Sequence, residues 1–402
     1  MADAEVRVLA QSDHRAGQDL ARAAHHTSPI SDREWAYAQD LHEPGLALGA
    51  FLGGDLVGTT FLLRSRLALP GGSTVPMAAA TGIAVRADRT RRGIFTRLER
   101  ESLDLAVAQG FPVVGSRVSE ATIYGRFGHG VGSTTRAVRL YPHEARLRPE
   151  VPAGGEVRLV DGETSVGLLP RLYERLGPYR PGVIERSAGW WKAKWEPLVH
   201  SGKGAVVAVH SGPDGDDGFA VYQAMRGGDS GARVTLMVTD FHAANPEAVA
   251  GLWRFLLGVD LVEEVCARRR PADELVEGML VDWRACRTHS VNDDLWLRLV
   301  DVPKALGARS YRDGDPFVLE ITDDLLPANS GSLRIGPDGV ERTSDRPQLS
   351  LNVDALAMAY LGGTSFTTLA SIGLLRVTDT KALPNADRVF GTDRAAFCGT
   401  TF

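Results

Sequence analysis

Residues Thr81 to Gly110 (TGIAVRADRTRRGIFTRLERESLDLAVAQG) constrain the fold more than any other stretch, because an apolar strand there runs through a basic, glycine-containing turn straight into an amphipathic helix. That order is a βα unit. Backbone N–H groups at a helix start lack intrahelical partners and sit at the positive end of the helix dipole, so the Arg91-Arg92-Gly93 turn presents a site for an anion such as a pyrophosphate. Read alone, the same residues also fit a solvated basic helix start.

Length and composition narrow the classes. At roughly 150 residues per domain, 402 residues suggest two or three domains, and the pattern changes described below favour three. A net charge of -5 and a pI near 6.1 supply no global attraction for nucleic acid or an anionic membrane, so the arginines near residue 90 act locally. Cys266, Cys286 and Cys398 form no CxxC pair, which argues against a disulfide framework or a structural zinc site. No metal is expected. The start, MADAEVRVLAQSDHRAG, lacks a basic segment followed by an apolar run, and no apolar stretch approaches the roughly 20 residues of a membrane span. A cytoplasmic protein is expected, with unconventional secretion left open.

Along the chain, Val6 to Ala10 reads as a strand and Ser12 as the N-cap of a helix over His14 to His25. Strands follow at Leu46 to Phe51, Leu56 to Arg66 and Val75 to Val85, then a helix over Ile94 to Gln109 and a strand over Phe111 to Val118. In that helix Ile94, Leu98, Leu105 and Val107 are the expected apolar positions, with Glu99 largely opposite. Proline, glycine and charge at 142–156 suggest a linker. A second strand and helix set begins at Val157, with strands at Ala205 to Val209, Phe219 to Met225 and Arg233 to Asp240. GPDGDDG (Gly212 to Gly218) reads as a hairpin turn, because it lacks calcium-loop spacing. A helix over Asn245 to Leu257 and a strand over Glu263 to Arg268 complete that set. From about Asp293 the pattern becomes α+β: strands at Leu295 to Leu299, Phe317 to Ile321, Gly331 to Ile335 and Gln348 to Asn352 alternate with helices near Val302 to Leu306, Val353 to Tyr360 and Thr367 to Ile372.

The strand, arginine turn and helix resemble the acetyl-CoA motif of the GNAT acetyltransferases, with Thr90 at the usual Gln or Arg position and Phe95 at the usual small one. IYGRFGHG (Ile123 to Gly130), LWLRLVDVPKALGARSY (Leu295 to Tyr311), the length and the terminal Phe402 together resemble the enhanced intracellular survival (Eis) family across essentially the whole chain. The resemblance implies an α/β and α+β protein with tandem GNAT folds, the N-terminal one active and the central one degenerate, followed by a sterol-carrier-like α+β domain. The corresponding domains are 1–147, 148–290 and 291–402.

It also implies a chemistry: acetyl-CoA-dependent N-acetylation, by direct transfer, of primary amines on polycationic small molecules such as aminoglycosides, at more than one position, by a homohexamer. Ile83, Ala84 and Val85 would pair with the pantetheine amides, while Arg91, Arg92, Gly93, Ile94, Phe95 and Thr96 hold the pyrophosphate. Ser119 and Glu120 would flank the same arm. Tyr124 is the expected general acid, since a phenol of ordinary pKa near 10 stays protonated at neutral pH. The main-chain carboxylate of Phe402 is the expected base, and Trp35 a substrate contact. A protein-lysine acetyltransferase and a non-catalytic binder of acyl-CoA or an apolar ligand remain alternatives. His25-His26 and His129 lack metal-ligand spacing and Cys398 lacks a spaced His partner, so these read as structural or exposed. Trp190, Trp191 and Trp195, at helical spacing, read as core ahead of a substrate mouth or an interface.

Overall fold

The computed structural model describes residues 4–202, 204–227 and 233–402. They form two compact units: the first contains the chain up to residue 133 together with 180–193 and 294–402, the second 134–179 and 194–293.

In the first unit, strands β1 (Glu5–Val8), β2 (Ala47–Leu52), β3 (Asp55–Ala68) and β4 (Thr74–Val85) pair antiparallel in chain order. Side chains alternate faces along a strand. Phe61 of β3 therefore meets α1 (His14–Ala24), where Gly17 leaves room for its ring, while the neighbouring Leu62 packs in the cluster containing Leu103 and Ala106 of α3 (Ile94–Ala108). A short helix, α2 (Asp32–Ala38), starts at a Ser31–Glu34 capping box. Strand β5 (Val113–Ser116) runs parallel to β4, from Met77 opposite Val113 to Ala80 opposite Ser116. There the pairing stops. Residues Thr81 to Val85 of β4 continue beyond it, with a bulge at Gly82 and Ile83 opposite Thr60 and Gly82 at φ +58. A short helix α4 (Ala121–Tyr124) and strand β6 (Gly130–Leu140) follow.

Several local readings need correction. Helix α1 begins at His14 after a single 3-10 turn over Gln11–Asp13, and the Ser12 hydroxyl bonds the Asp13 carboxylate instead of capping. The strand read as Phe111 to Val118 is shorter because the chain leaves the sheet after Ser116. On α3, Val107 is exposed and Glu99 buried; the carboxylate tolerates burial because the His129 imidazole lies 2.7 Å away.

The second unit contains β7 (Glu156–Val160), α5 (Gly162–Leu176), β8 (Ala205–Gly212), β9 (Gly215–Gly227), β10 (Arg233–Ala243) and β11 (Glu264–Pro271). Helix α6 (Ala188–Lys194), which carries Trp190 and the buried Trp191, belongs almost entirely to the first unit, while α7 (Glu196–His200), with Trp195 at its N-cap position, belongs to the second. Gly212 pairs with Gly215 in the β8–β9 hairpin, so Pro213 and Asp214 form the turn. The stretch at 142–156 is tied down: the Arg148 N–H donates to the Met279 carbonyl and Leu147 bridges Leu280.

Strands β10 and β11 run parallel around α8 (Pro246–Leu257), the same arrangement as β4, α3 and β5. The two helix starts differ. Asn245 accepts the Ala248 N–H through its side chain and Pro246 has no N–H, so this helix start is closed; α3 begins at Gly93 with no side-chain cap.

A short helix α9 (Val276–Met279) precedes β12 (Cys286–Leu299), which pairs antiparallel with β5 from Trp296 opposite Ser116 to Leu299 opposite Val113. The rest of the first unit is α10 (Val302–Gly307), β13 (Phe317–Thr322), β14 (Gly331–Gly336), β15 (Gly339–Arg342), β16 (Leu349–Asn352), α11 (Val353–Tyr360), α12 (Phe366–Ser371), β17 (Leu375–Val377) and α13 (Ala382–Phe390). The sheet order is β15-β14-β13-β16-β17, and Phe317, Phe366 and Phe390 meet with ring centres 4.8 to 6.1 Å apart. Strands β6, β15 and β17 and helix α13 escaped the sequence reading; β15 and β17 are short, and α13 carries Pro384 in its first turn. After α13 the chain has no regular structure, yet Ala396, Phe397, Cys398 and Thr400 are buried.

Candidate active site

The cradle follows from the strand geometry. Beyond Ala80 the edge of β4 facing β5 is unpaired, which exposes main-chain groups of Thr81 to Val85 to an extended amide-bearing ligand. Ser116, at the last paired position, has a buried hydroxyl with no hydrogen-bond partner. At the far end of β4, Arg91 (φ +62) and Gly93 (φ +76) both adopt left-handed backbone, which turns the chain sharply into α3 and leaves its first N–H groups open. A Cβ on Gly93 meets nothing within 4 Å. These features fit acetyl-CoA: pantetheine amides along β4, a partner for Ser116, and a diphosphate at the α3 start between exposed Arg91 and Arg92. Ile94 is buried beneath that turn, and Phe95 reaches the opposite side, its ring centre 5.7 Å from that of Tyr124.

A cavity of about 320 Å³ lies at the divergence, lined by Thr81, Gly82 and Ile83 of β4, by Ser116, Arg117, Ser119 and Tyr124, by Gln18, Arg22 and His25 of α1 and its end, and by Phe402. Tyr124 and Phe402, 278 residues apart in sequence (402 − 124), thus share one wall. Tyr124 is 6% exposed and sits edge-on to Phe95 and to His129, the latter at 5.5 Å. Burial pushes its pKa up, and the Glu99 and Glu120 carboxylates add to the shift, so the phenol keeps its proton through the neutral range.

The last residues are held firmly. Arg180 donates to the Ala395 carbonyl at 2.9 Å, the Phe397 N–H to the Pro181 carbonyl at 2.9 Å, and the Trp190 indole to the Thr401 carbonyl at 2.7 Å. Arg186 Nε reaches the Thr400 hydroxyl at 3.1 Å and stacks over Trp190. Arg117 bonds both the Thr400 carbonyl, at 2.7 Å, and Asp294, at 2.6 Å. Asp294 and Arg117 lie just beyond the last β5–β12 pair, Trp296 opposite Ser116: Arg117 follows Ser116, and Asp294 precedes Trp296 by two residues. Burial works to lower the Arg117 pKa, but Asp294 and Cys398 together, through charge and hydrogen bonding, more than offset it, so the pKa is raised and the guanidinium stays protonated.

Of the sequence-predicted residues, Ile83, Ser119, Tyr124 and Phe402 line the cavity, while Ala84, Val85 and Arg91 to Thr96 run from it to the α3 start. Glu120 is exposed at the start of α4. Trp35 lies on α2, half-buried and stacked on His42 with ring centres 6.3 Å apart, outside the cavity lining. His25 lines the cavity and bonds the Ala21 carbonyl at 2.8 Å. Sequence reasoning missed Arg117, Asp294, Arg186 and the Glu99–His129 pair; a charged residue inside an apolar stretch, as at Asp294 before LWLRLV, was the available signal. Among the described residues no group of three or more His, Cys, Asp or Glu is arranged to hold a metal ion, and no helix is long and apolar enough to cross a membrane.

Known proteins share this arrangement. The acetyltransferase (GNAT) domain matches residues 5–132 and again 182–299, and the sterol carrier protein domain matches 302–399. GNAT domains use acetyl-CoA. An uncharacterised N-acetyltransferase of Streptomyces avermitilis is 34% identical over 400 residues, covering 96% of this chain and 97% of its own. N-acetyltransferase Eis of Mycobacterium bovis is 32% identical over 364 residues, covering 86% and 85% respectively. The crystal structure of Eis1 from Mycobacterium abscessus superposes with a TM-score of 0.90 at 34% identity, covering 99% of this chain and all of that one. With the strand divergence, the open α3 start and the sterol-carrier sheet all present, the chain belongs to the Eis family of GNAT N-acetyltransferases.

Proposed function

We propose that this N-acetyltransferase moves the acetyl group of acetyl-CoA directly onto primary amines of small molecules, with Tyr124 as general acid and the Phe402 α-carboxylate as base. One observation carries the reading: a buried, protonated phenol and the chain terminus line a single cavity at the open edge of β4. An amine entering from the α1 side attacks the thioester carbon, the terminal carboxylate receives or orients its proton, and the Tyr124 hydroxyl donates to the departing sulfur. A main-chain carboxyl has an ordinary pKa of about 3.3 to 3.7, so its first task is to hold the ammonium, with proton removal relayed by water. Main-chain N–H groups on the open edge of β4 are the candidates to stabilise the tetrahedral oxyanion.

The acceptor class is polycationic, aminoglycoside-type amines, with acetylation at more than one position; this part rests on the likeness to Eis proteins. The hexameric assembly, the cytoplasmic location and the division at 1–147, 148–290 and 291–402 rest on the same likeness or on composition. Purified protein with acetyl-CoA, a thiol reagent and either an aminoglycoside, a polyamine or a lysine peptide tests the reading. CoA release with the amines, and none from acetyl-CoA alone, supports direct transfer to small molecules. Release with lysine peptides only identifies a protein acetyltransferase, and tight acetyl-CoA binding without release at any pH identifies a binding protein. Residues appended after Phe402 should depress the rate; normal activity there removes the terminus from the mechanism.

A further inference from the structure

We propose that Asp294, joined to Arg117, is a latch that positions the Phe402 carboxylate for the reaction. The inference rests on the reading of that carboxylate as the base, and adds residues that act through the chain end.

The Asp294 side chain is fully buried. Its Oδ2 accepts the N–H of Cys398 at 2.9 Å, the N–H of Gly399 at 3.2 Å and the Ser133 hydroxyl at 3.1 Å, and its Oδ1 accepts Arg117 at 2.6 Å. Arg117 in turn holds the Thr400 carbonyl at 2.7 Å. One carboxylate and one guanidinium thus grip three consecutive residues, Cys398 to Thr400. Phe402 lies two residues further on, which limits its Cα to about 7 Å from that of Thr400. Gly399 supplies the turn within the grip: its φ of +67 directs the chain from the N–H groups held by Asp294 to the Thr400 carbonyl held by Arg117, and a Cβ there lies 2.5 Å from the Phe397 ring.

A fold that needed only to seal this interior would be served by apolar side chains, because a buried carboxylate is costly unless fully paired. Here the charge is spent on main-chain N–H groups near the terminus. Arg117 also lines the cavity, and with Asp294 bound to it the guanidinium faces an incoming ammonium as a neutralised pair. The latch therefore fixes where the terminal carboxylate sits without repelling the acceptor.

The test compares full-length protein, Asp294→Asn, Gly399→Ala, a chain ending at Thr401, and the double variant with Asp294→Asn in the shortened chain. Gly399→Ala strains the turn between the Asp294-bound N–H groups and the Arg117-bound carbonyl without leaving an unpaired charge, so it reports even where Asp294→Asn folds poorly. Each single change is expected to lower kcat about 10- to 100-fold, as small misplacements of reacting groups do, with KM for acetyl-CoA within about twofold. Carboxypeptidase should release Phe402 faster from both latch variants than from the parent. In the shortened chain Asp294→Asn should add nothing further, since both changes remove the same positioned group. Parental kcat in Asp294→Asn and Gly399→Ala, alongside a rate lost on removing Phe402, overturns the latch and keeps the base. Multiplying effects in the double variant also overturn it. An unaltered rate in the shortened chain overturns the base and the latch with it.

Discussion

Replacing Tyr124 by Phe removes one hydroxyl and little else. The ring keeps its edge contacts with Phe95 and His129, and the site is already 6% exposed, so neither a cavity nor a new polar group results. General acids contribute about 10²- to 10⁴-fold. The environment argues for the low end. An ordinary phenol, with pKa near 10, already holds its proton more tightly than an ordinary thiol near 8.5, and burial pushes Tyr124 further up. Full proton transfer to the departing sulfur therefore runs uphill by at least about 2 kcal/mol, at 1.36 kcal/mol per pKa unit. The hydroxyl then acts mostly as a hydrogen-bond donor that strengthens as negative charge develops. A loss of about 10²-fold in kcat follows, equivalent to about 2.7 kcal/mol. CoA release followed with a thiol reagent, at saturating acetyl-CoA and amine, measures it. The KM for acetyl-CoA should stay within about twofold, because no cradle group is touched. The parent should show no fall in kcat from phenol ionisation as pH rises toward about 10, where an unperturbed tyrosine would be half ionised. A Tyr124→Phe enzyme within about threefold of the parent from pH 6 to 10 would refute the reasoning.

Three other outcomes follow from the geometry. Gly93→Ala introduces no clash but forces a side chain into the left-handed region, at about 1 kcal/mol, so calorimetry should find acetyl-CoA bound roughly fivefold more weakly; unchanged affinity would remove this turn from the cradle. Asp323→Ala strands the fully buried Arg298, which Asp323 grips with bonds of 2.7 and 2.8 Å, and should cost about 3 to 5 kcal/mol of stability in urea unfolding; a loss under about 1 kcal/mol would mean the guanidinium finds another partner. The three cysteines should ignore a thiol reagent in the native protein and react after denaturation: all are buried, and burial raises Cys286 to about 12 and Cys398 to about 11. Fast native labelling of any of them would contradict the burial.

The two GNAT domains carry the same strand–helix–strand unit with different helix starts. Both run a parallel strand pair around a helix, and only the local chemistry of the turn differs. Arg91 and Gly93 leave the α3 amides available, whereas Asn245 and Pro246 consume or remove those of α8.

Local pattern carried the strand-to-helix turn at Arg91 to Gly93, the Tyr124 string, the main strands and the change to an α+β region near Asp293, because turn chemistry, amphipathic period and motif spacing act over a few residues. Fold family and reaction type were legible through the resemblance those strings carry to the GNAT and Eis families. The burial of Glu99 was not, since its partner His129 lies 30 residues on. Nor was the grip on the chain end: Arg117 meets Asp294 across 177 residues, just past the end of the antiparallel β5–β12 register, and the Thr400 carbonyl across 283. A one-residue slip in that register turns Asp294 to the other face of the sheet. Residue spacing names the groups a reaction can use, but only strand pairing between distant segments decides which of them meet, because the free energy that buries a charge depends on partners the local sequence does not contain.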